Sequence, residues 1–483
     1  SLAAAGAAGV VSVPAMAQTV PVPAKWDKTV DFLIVGTGFA GLGAAIEAHE
    51  QGIKNVLVID KMPSIGGNSI INGGAVAAAG TDMQKAAGIK DSPDLLFKDI
   101  IKAGGGLAHP QLARHIADNC VENYEWLKKV GVKFKAVTFH GGHSVPRSHA
   151  VTNNSGSGFI NPMYKKCQEY GVPVQLRTIV DDLVVDDKGA VLGVKVRENY
   201  RFGRENSGKV AYYRATKGVL LAAGGFSQNV QMRMNHDPRL NEKFGSTNHP
   251  GATGDGITLS EKVGAAFVDM DQIQTHPTVV ESTGVMVTEA VRGNGAILVN
   301  TEGKRFCDEL GTRDYVSAEI LKQPTKHAFM FFDEDVRKSL KAIEGYVKTP
   351  GMVIQGKTLE EVAKNMGVPA ANLKATMTQY AKDQKAGKDS CCGRTKMERP
   401  LNKPGYYAIR VTPAVHHTMG GVKIDTKAEV LGTNGKPIPG YFAAGEVTGG
   451  VHGGNRLGGN AQADIIVFGR IAGQSASDYA KAH

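Results

Sequence analysis

Glycines at positions 36, 38 and 41, followed by an aspartate at 60, are the first residues of this chain whose spacing carries chemistry. They sit in a stretch that reads strand, glycine turn, helix, strand: the apolar run Phe32-Leu-Ile-Val35, then Gly36-Thr-Gly38-Phe-Ala-Gly41, a helical run from Leu42 to Gln51, and Asn55-Val-Leu-Val-Ile-Asp60. Gly36 permits the tight turn, Gly38 lets a pyrophosphate approach the backbone, and Gly41 lets helix and sheet pack. The helix N-terminus offers N–H groups and a positive dipole end to the phosphates. Asp60, closing the second strand 19 residues after Gly41, can accept both hydroxyls of an adenosine ribose. FAD and NAD both fit this fingerprint, so it specifies a dinucleotide without choosing between them.

At 483 residues the chain exceeds the ~250–300 at which a single core stops growing, so two or more domains are expected. The 42% apolar and 21% charged content is that of a globular protein and argues against disorder or fibre. The net charge of +10 comes from scattered basic residues, with no run that tracks a phosphate backbone; a solvated surface is expected, and no nucleic-acid partner. Such an excess suits an acidic electron-transfer partner or an anionic ligand. Cys120, Cys167, Cys307, Cys391 and Cys392 include no CxxC and no CxxCH, which excludes a zinc ribbon, an iron–sulfur run and an attached c-type haem. Their odd number leaves at least one thiol free or paired outside the chain. The adjacent Cys391 and Cys392 fall in a polar loop and read as incidental to chemistry.

Residues 1–17 are small and apolar and end Ala15-Met16-Ala17, the pattern of a signal-peptidase site; they read as the remnant of an export signal, with the mature protein beginning near Gln18 in the periplasm. With a proline at 14 the segment makes no stable membrane span. After Asp60, the turn holding Gly67-Asn68-Ser69 leads to Asn72-Gly73-Gly74-Ala75, where small residues let a flat ring lie against the backbone. The apolar spacing from Ser92 to Val130 is helical, Gly141 to Gly158 reads as loop, and Val174 to Val196 alternates like a hairpin about 186–189. A second buried strand runs from Lys217 into Ala223-Gly224-Gly225, and a glycine-rich turn before a helix holds Asp255. Between 271 and 417 the texture changes to charged helices and short strands. Tyr441 to Glu446 restores the apolar strand running into glycine, and a helix from Ala461 to Ala480 finishes the fold. The expectation is an α/β protein with a discontinuous Rossmann-like domain over 27–270 plus 418–483 and an inserted α+β capping domain over 271–417.

Further motifs select the cofactor. Gln274-Thr-His276-Pro-Thr278, Thr288-Glu289-Ala-Val-Arg292-Gly-Asn-Gly295, Thr312-Arg313-Asp314, His416-His417-Thr-Met-Gly-Gly421 and Asn455-Arg456-Leu-Gly-Gly-Asn460 together resemble the flavoprotein of fumarate reductases and succinate dehydrogenases, with greatest likeness to the soluble flavocytochrome c fumarate reductases. The resemblance runs from about residue 27 to the C-terminus. It implies FAD, with Gly36, Gly38, Gly41, Asp60, Gly67, Asn68, Ser69, Gly73, Gly74, Ala223, Gly224, Asp255, His417, Glu446, Arg456 and Ala461 as its contacts. It implies that His416 and Arg456 hold one carboxylate of a dicarboxylate substrate while His276, Thr288 and Arg313 hold the other. Reduced flavin then delivers hydride from N5 to one alkene carbon, Arg313 protonates the next, and Glu289 and Arg292 relay protons to Arg313. The residue chemistry agrees: a four-carbon dianion needs cationic or hydrogen-bonding clamps at both ends. An arginine acid, with a pKa above ~12, serves only a strongly basic developing carbanion and a promptly replaced proton. Taken singly, Arg313 beside Asp314 reads as a surface ion pair, His276 as a loop residue and Glu289 with Arg292 as a solvated helix pair; their joint occurrence in family order favours function.

Departures from the pattern matter. Lys61 to Gly80 contains no histidine, so FAD is expected to be non-covalent. The segments Phe139-His140-Gly-Gly-His143 and His149 to Gly156 differ from the fumarate reductases, as do Gln462 and Ala463, and a loop near flavin and substrate bears on substrate identity. The leading expectation is periplasmic reduction of fumarate to succinate, with electrons from a separate multihaem cytochrome c. Alternatives are reduction of another α,β-unsaturated carboxylate such as methacrylate, urocanate or an aryl acrylate, oxidation of succinate, and a non-catalytic flavin sensor.

Overall fold

The computed structural model describes residues 20–71 and 73–482, so the expected export segment 1–17 lies outside the described residues. Four-residue apolar strands, Phe32–Val35 and Val56–Ile59, are buried at every position, as parallel strands covered on both faces must be. They form the middle of a six-stranded sheet in the order Glu429–Leu431, Pro437–Ala443, Val219–Leu221, Phe32–Val35, Val56–Ile59, Val174–Gln175. Every neighbouring pair is parallel except the first. The sheet thus recruits strands from far along the chain, as the glycine-terminated runs predicted. The helix Phe39–Glu50 packs on the C-terminal helix Asn460–Ala482 through small residues: a Cβ at Gly469 would lie 2.6 Å from the Ala40 carbonyl oxygen, and one at Gly473 2.8 Å from that of Ala44.

Apolar side chains form two cores. One gathers residues from Val30 to Ala265 and again from Val422 to Ala476; the other is built from residues between Val280 and Val411. The second surrounds a five-stranded sheet of Ile273–Val280, Tyr406–Thr418, Ala328–Asp333 and Ile297–Val299, with Ile354–Gly356 paired to the long strand. The chain passes between the cores along the antiparallel pair Ile273–Val280 and Tyr406–Thr418, whose register shifts beside His276.

Two local readings are corrected. Residues 141–158 are not all loop: Ser148–Ser155 is the central strand of a three-stranded sheet between Gly73–Ala77 and Phe134–Thr138. Glycines bracket this strand instead of dissolving it; it is buried from Ser148 to Val151 and exposed at Thr152 and Asn153, and Val151 and Thr152 are β-branched residues that suit a pleated strand. The helical stretch 92–130 is two helices, Pro93–Ala103 and Pro110–Val130, interrupted at Gly104-Gly105-Gly106. The hairpin Ile179–Val185 with Val191–Glu198 and the helix Asp255–Lys262 after the glycine turn form where the pattern places them. Among the described residues no helix is long and apolar enough to cross a membrane.

Candidate active site

A cleft of about 980 Å³ lies along the C-terminal edge of the central sheet. Gly36, Gly38, Asp60, Gly67, Asn68, Ser69, Ala223, Gly224, Asp255, His417, Glu446 and Ala461 all line it. Gly36 has φ of +120°, and a Cβ there would sit 2.0 Å from the Ala222 carbonyl oxygen, so only glycine brings the turn this close. Gly41 lies behind the turn, where a Cβ would meet the Gly36 carbonyl oxygen at 1.9 Å. Gly38 caps the helix Phe39–Glu50 with no side-chain hydrogen bond and no acidic residue in the first turn, leaving a positive end for phosphate. Asp60 holds the turn as well as facing the cleft: its Oδ2 accepts from the Thr37 N–H (3.1 Å) and hydroxyl (2.6 Å). Asp255 pairs with Lys61 at 2.8 Å across the cleft mouth. Glu446 takes the Nδ1–H of His417 at 2.8 Å on one oxygen and the Gly225 N–H at 3.1 Å on the other. Burial pushes the His417 imidazole down to about 4 against the pull of Glu446, so it is neutral. The glycine cradle, open helix end and cleft length fit an extended dinucleotide such as FAD. Gly74 and Arg456 line a second cavity instead, and Gly73 opens the strand just before Gly74.

That second cavity, about 1060 Å³, collects His276, Thr288, Glu289, Arg313, His416 and Arg456. It adjoins the first through consecutive residues: His416 and His417 on one strand, Gln462 and Ala461 on one helix. Thr288 and Thr312 are the N-caps of two helices whose first residues are Glu289 and Arg313. Both helices open inward, so Glu289 and Arg313 are buried. Arg313 Nε donates to Glu289 Oε1, and Arg292 Nη2 stands 3.9 Å from that same oxygen. The surface-pair readings of these residues do not hold. Burial alone would raise the Glu289 carboxyl, yet Arg313, with His140 and Arg292, holds it below the usual carboxylate range.

The two histidines arrive from the paired strands, with ring centroids 5.2 Å apart. His276 Nδ1 accepts the Thr278 N–H at 3.2 Å, so its proton lies on Nε2, a buried donor with no partner in the protein. Thr247 Oγ1 holds His416 Nδ1 at 2.5 Å. Burial, reinforced by Arg313, keeps both imidazoles well below the ordinary histidine range and therefore neutral. Arg456 Nε is also buried without a partner; burial and Arg313 bring its pKa down to about 9, still charged at neutral pH. The cavity thus holds N–H donors in excess of acceptors, which suits a small anion.

Several of the contacts that hold the lining residues carry no local sequence signal. Gln274 Nε2 donates to Asn455 Oδ1 (2.7 Å) and to the Arg456 carbonyl (2.6 Å), fixing the loop that presents Arg456. The Thr288 N–H donates to Tyr346 Oη at 3.1 Å, and His249 places its N–H on Asn68 Oδ1 at 2.7 Å. His140, singled out as a departure, lines the second cavity beside Glu289. Cys391 and Cys392 are disulfide-bonded, and Cys120, Cys167 and Cys307 are free and buried.

The family model for the FAD binding domain matches residues 31–461. A fumarate reductase (cytochrome) of Shewanella frigidimarina is 45% identical over 455 residues, covering 94% of this chain and 78% of that protein. An acrylate reductase flavoprotein subunit of Shewanella woodyi is 37% identical, covering 97% of this chain and 96% of its own length. The solved open conformation of a flavocytochrome c3 fumarate reductase superposes with a TM-score of 0.77 at 39% identity, covering 95% of this chain and 79% of that one.

Proposed function

The chain belongs to the FAD-binding flavoprotein family of fumarate reductases and succinate dehydrogenases and is an FAD-dependent oxidoreductase acting on CH–CH groups; from that premise we propose that it reduces fumarate to succinate. The observation that carries this reading is the set of buried donors without acceptors around one cavity, above all His276 Nε2–H and Arg456 Nε–H, beside the Arg313–Glu289 pair. In this reading His416 and Arg456 grip one carboxylate, and His276, Thr288 and Arg313 grip the other. FAD, held without a covalent bond in the glycine cradle, supplies the hydride when reduced. Arg313 gives the proton to the carbon next to the one reduced, and the proton it loses is replaced through Glu289, with Arg292 behind it. Neutral imidazoles serve the clamp because they donate without bringing a titrating charge of their own.

The segment 271–417 acts as a cap whose paired strands carry His276 and His416 to the flavin side. Electrons come from a separate multihaem cytochrome c in the periplasm; the 483 residues hold no CxxCH, and the Shewanella frigidimarina relative is named a fumarate reductase (cytochrome). Reduction of a different enoate is the second reading. It is favoured by the apolar side of the cavity, Met286, Leu340 and Tyr346, and by the likeness to an acrylate reductase subunit over nearly its whole length. Steady-state rates of the FAD-loaded protein with reduced viologen on fumarate, acrylate, methacrylate, urocanate and an aryl acrylate separate the two. A higher kcat/KM for any monocarboxylate than for fumarate replaces the first reading by the second.

A further inference from the structure

We propose that His140 is a positioning residue of the proton relay, holding the second oxygen of Glu289 while Arg313 holds the first. The inference rests on the reading of Arg313 and Glu289 as that relay. Glu289 Oε1 is taken by Arg313 Nε, whereas Oε2 is buried and has no hydrogen-bond partner. The Nδ1 of His140 stands 3.7 Å from Oε2, is likewise buried, and likewise lacks a partner. Two unsatisfied groups of complementary type, facing each other in a dry site, gain by closing the remaining gap of roughly 0.8 Å to an ordinary N–H···O distance.

The surroundings keep them facing. Gly458 lies against both: a Cβ there would be 2.5 Å from His140 Nδ1 and 2.6 Å from Glu289 Oε2, so any larger residue would push the imidazole and carboxylate apart. The loop that carries His140 is pinned at the residues that follow it. Gly141 packs on the carbonyl oxygens of Leu310 and Gly311, with its Cβ position 2.7 and 2.8 Å from them. His143 accepts from Arg147 Nη1 at 3.1 Å on Nδ1, which leaves its proton on Nε2 to donate to the Gly458 carbonyl at 2.7 Å. Arg147 is fully buried between Asp91 (2.9 Å) and Asp99 (2.5 Å). Burial, reinforced by the neighbouring guanidiniums of Arg313, Arg292 and Arg456, disfavours a positive charge on His140 against the pull of Glu289, so it meets Glu289 as a neutral Nδ1–H donor. Gripped at both oxygens, the carboxylate cannot rotate, and Oε1 stays on Arg313 through successive turnovers. No proton need pass through His140.

The test compares His140→Leu, His140→Asn and His140→Gln with Glu289→Gln in the FAD-loaded protein, using reduced viologen and fumarate. Asparagine places an amide N–H near the Nδ1 position; glutamine places one near Nε2. His140→Leu should lower kcat about tenfold, the scale of a hydrogen bond to a charged group, with KM and bound FAD unchanged; His140→Asn should restore most of the loss and His140→Gln should not. Adding His140→Leu to Glu289→Gln should cost nothing further. Wild-type turnover by His140→Leu while Glu289→Gln is inactive overturns the proposal and leaves the relay standing; wild-type turnover by Glu289→Gln overturns the relay itself. Should His140→Leu fail to load FAD, the two amide variants decide: equal rates overturn the proposal, and recovery by asparagine alone supports it.

Discussion

Arg313 and Glu289 each occupy the first position of their own helix, behind the threonine caps Thr312 and Thr288, and their side chains meet in a buried ion pair 24 residues apart in sequence. A guanidinium at a helix N-terminus is opposed by the dipole, which favours anions there. The carboxylate of Glu289 offsets that opposition for Arg313 and is itself well placed at a helix start.

Removing the guanidinium separates chemistry from cofactor binding, because Arg313 lines only the second cavity. Arg313→Ala should lower fumarate turnover by at least ~10²–10⁴-fold, the contribution of a positioned acid, while flavin content per protein, read from the visible absorbance, stays at the wild-type level. Retained turnover would remove Arg313 from the reaction.

The turn behind the cradle admits no methyl group at Gly41. A Cβ at Gly41 would stand 1.9 Å from the Gly36 carbonyl oxygen, a backbone atom that cannot swing aside. Gly41→Ala should therefore open the turn, costing ~1–3 kcal/mol or more of stability together with most of the bound FAD. Equilibrium dialysis and thermal unfolding check both.

Acid should destabilise the fold through its buried imidazoles. His140 and His417, pushed down to about 4, and His276 and His416, lower than the ordinary value, are neutral when folded but protonate near ~6.5 when unfolded. Their folded-state pKa values are depressed, so the stability they contribute is present above ~6.5 and is lost as pH falls from there toward 4. Glu289 acts in the same sense below the usual carboxylate range. Tm at saturating FAD should fall steadily from neutral pH to pH 5; a flat profile would contradict the neutral assignments.

The clamp should discriminate by charge. With His276 Nε2–H removed, His276→Ala should lose about tenfold or more in kcat/KM for fumarate and much less for acrylate, which presents one carboxylate. Equal losses on both substrates would assign His276 to packing.

Denaturation tests the cofactor linkage. Acid precipitation should release the flavin to the supernatant, since no histidine lies between Lys61 and Gly80. Flavin remaining on the pellet would show a covalent bond.

The nucleotide cleft was legible because its signals are local. Gly36, Gly38 and Gly41 fall within six residues, and each of the strands ending near Ala223 and Ala444 announces itself as an apolar run into small residues. The second cavity was legible only by family resemblance: His276, Arg313, His416 and Arg456 span 181 positions, and no periodicity relates them. Gln274 belongs to a motif, but its grip on the Arg456 carbonyl is a contact across 182 residues that neither segment encodes alone. The misreading of 148–155 has a different origin. Composition marked the flanking Gly141, Gly142, Gly156 and Gly158, while strand pairing on both sides fixed what lay between.

His416 and His417 are neighbours on the extended strand Tyr406–Thr418 and project to opposite sides of it, one toward the carboxylate pocket and one toward Glu446 in the nucleotide cleft. Slipping that ribbon by a single residue would exchange the two addresses and ruin both sites together. A change in what this enzyme accepts is therefore open to side chains around the pocket and closed to any insertion or deletion that shifts the phase of the ribbon.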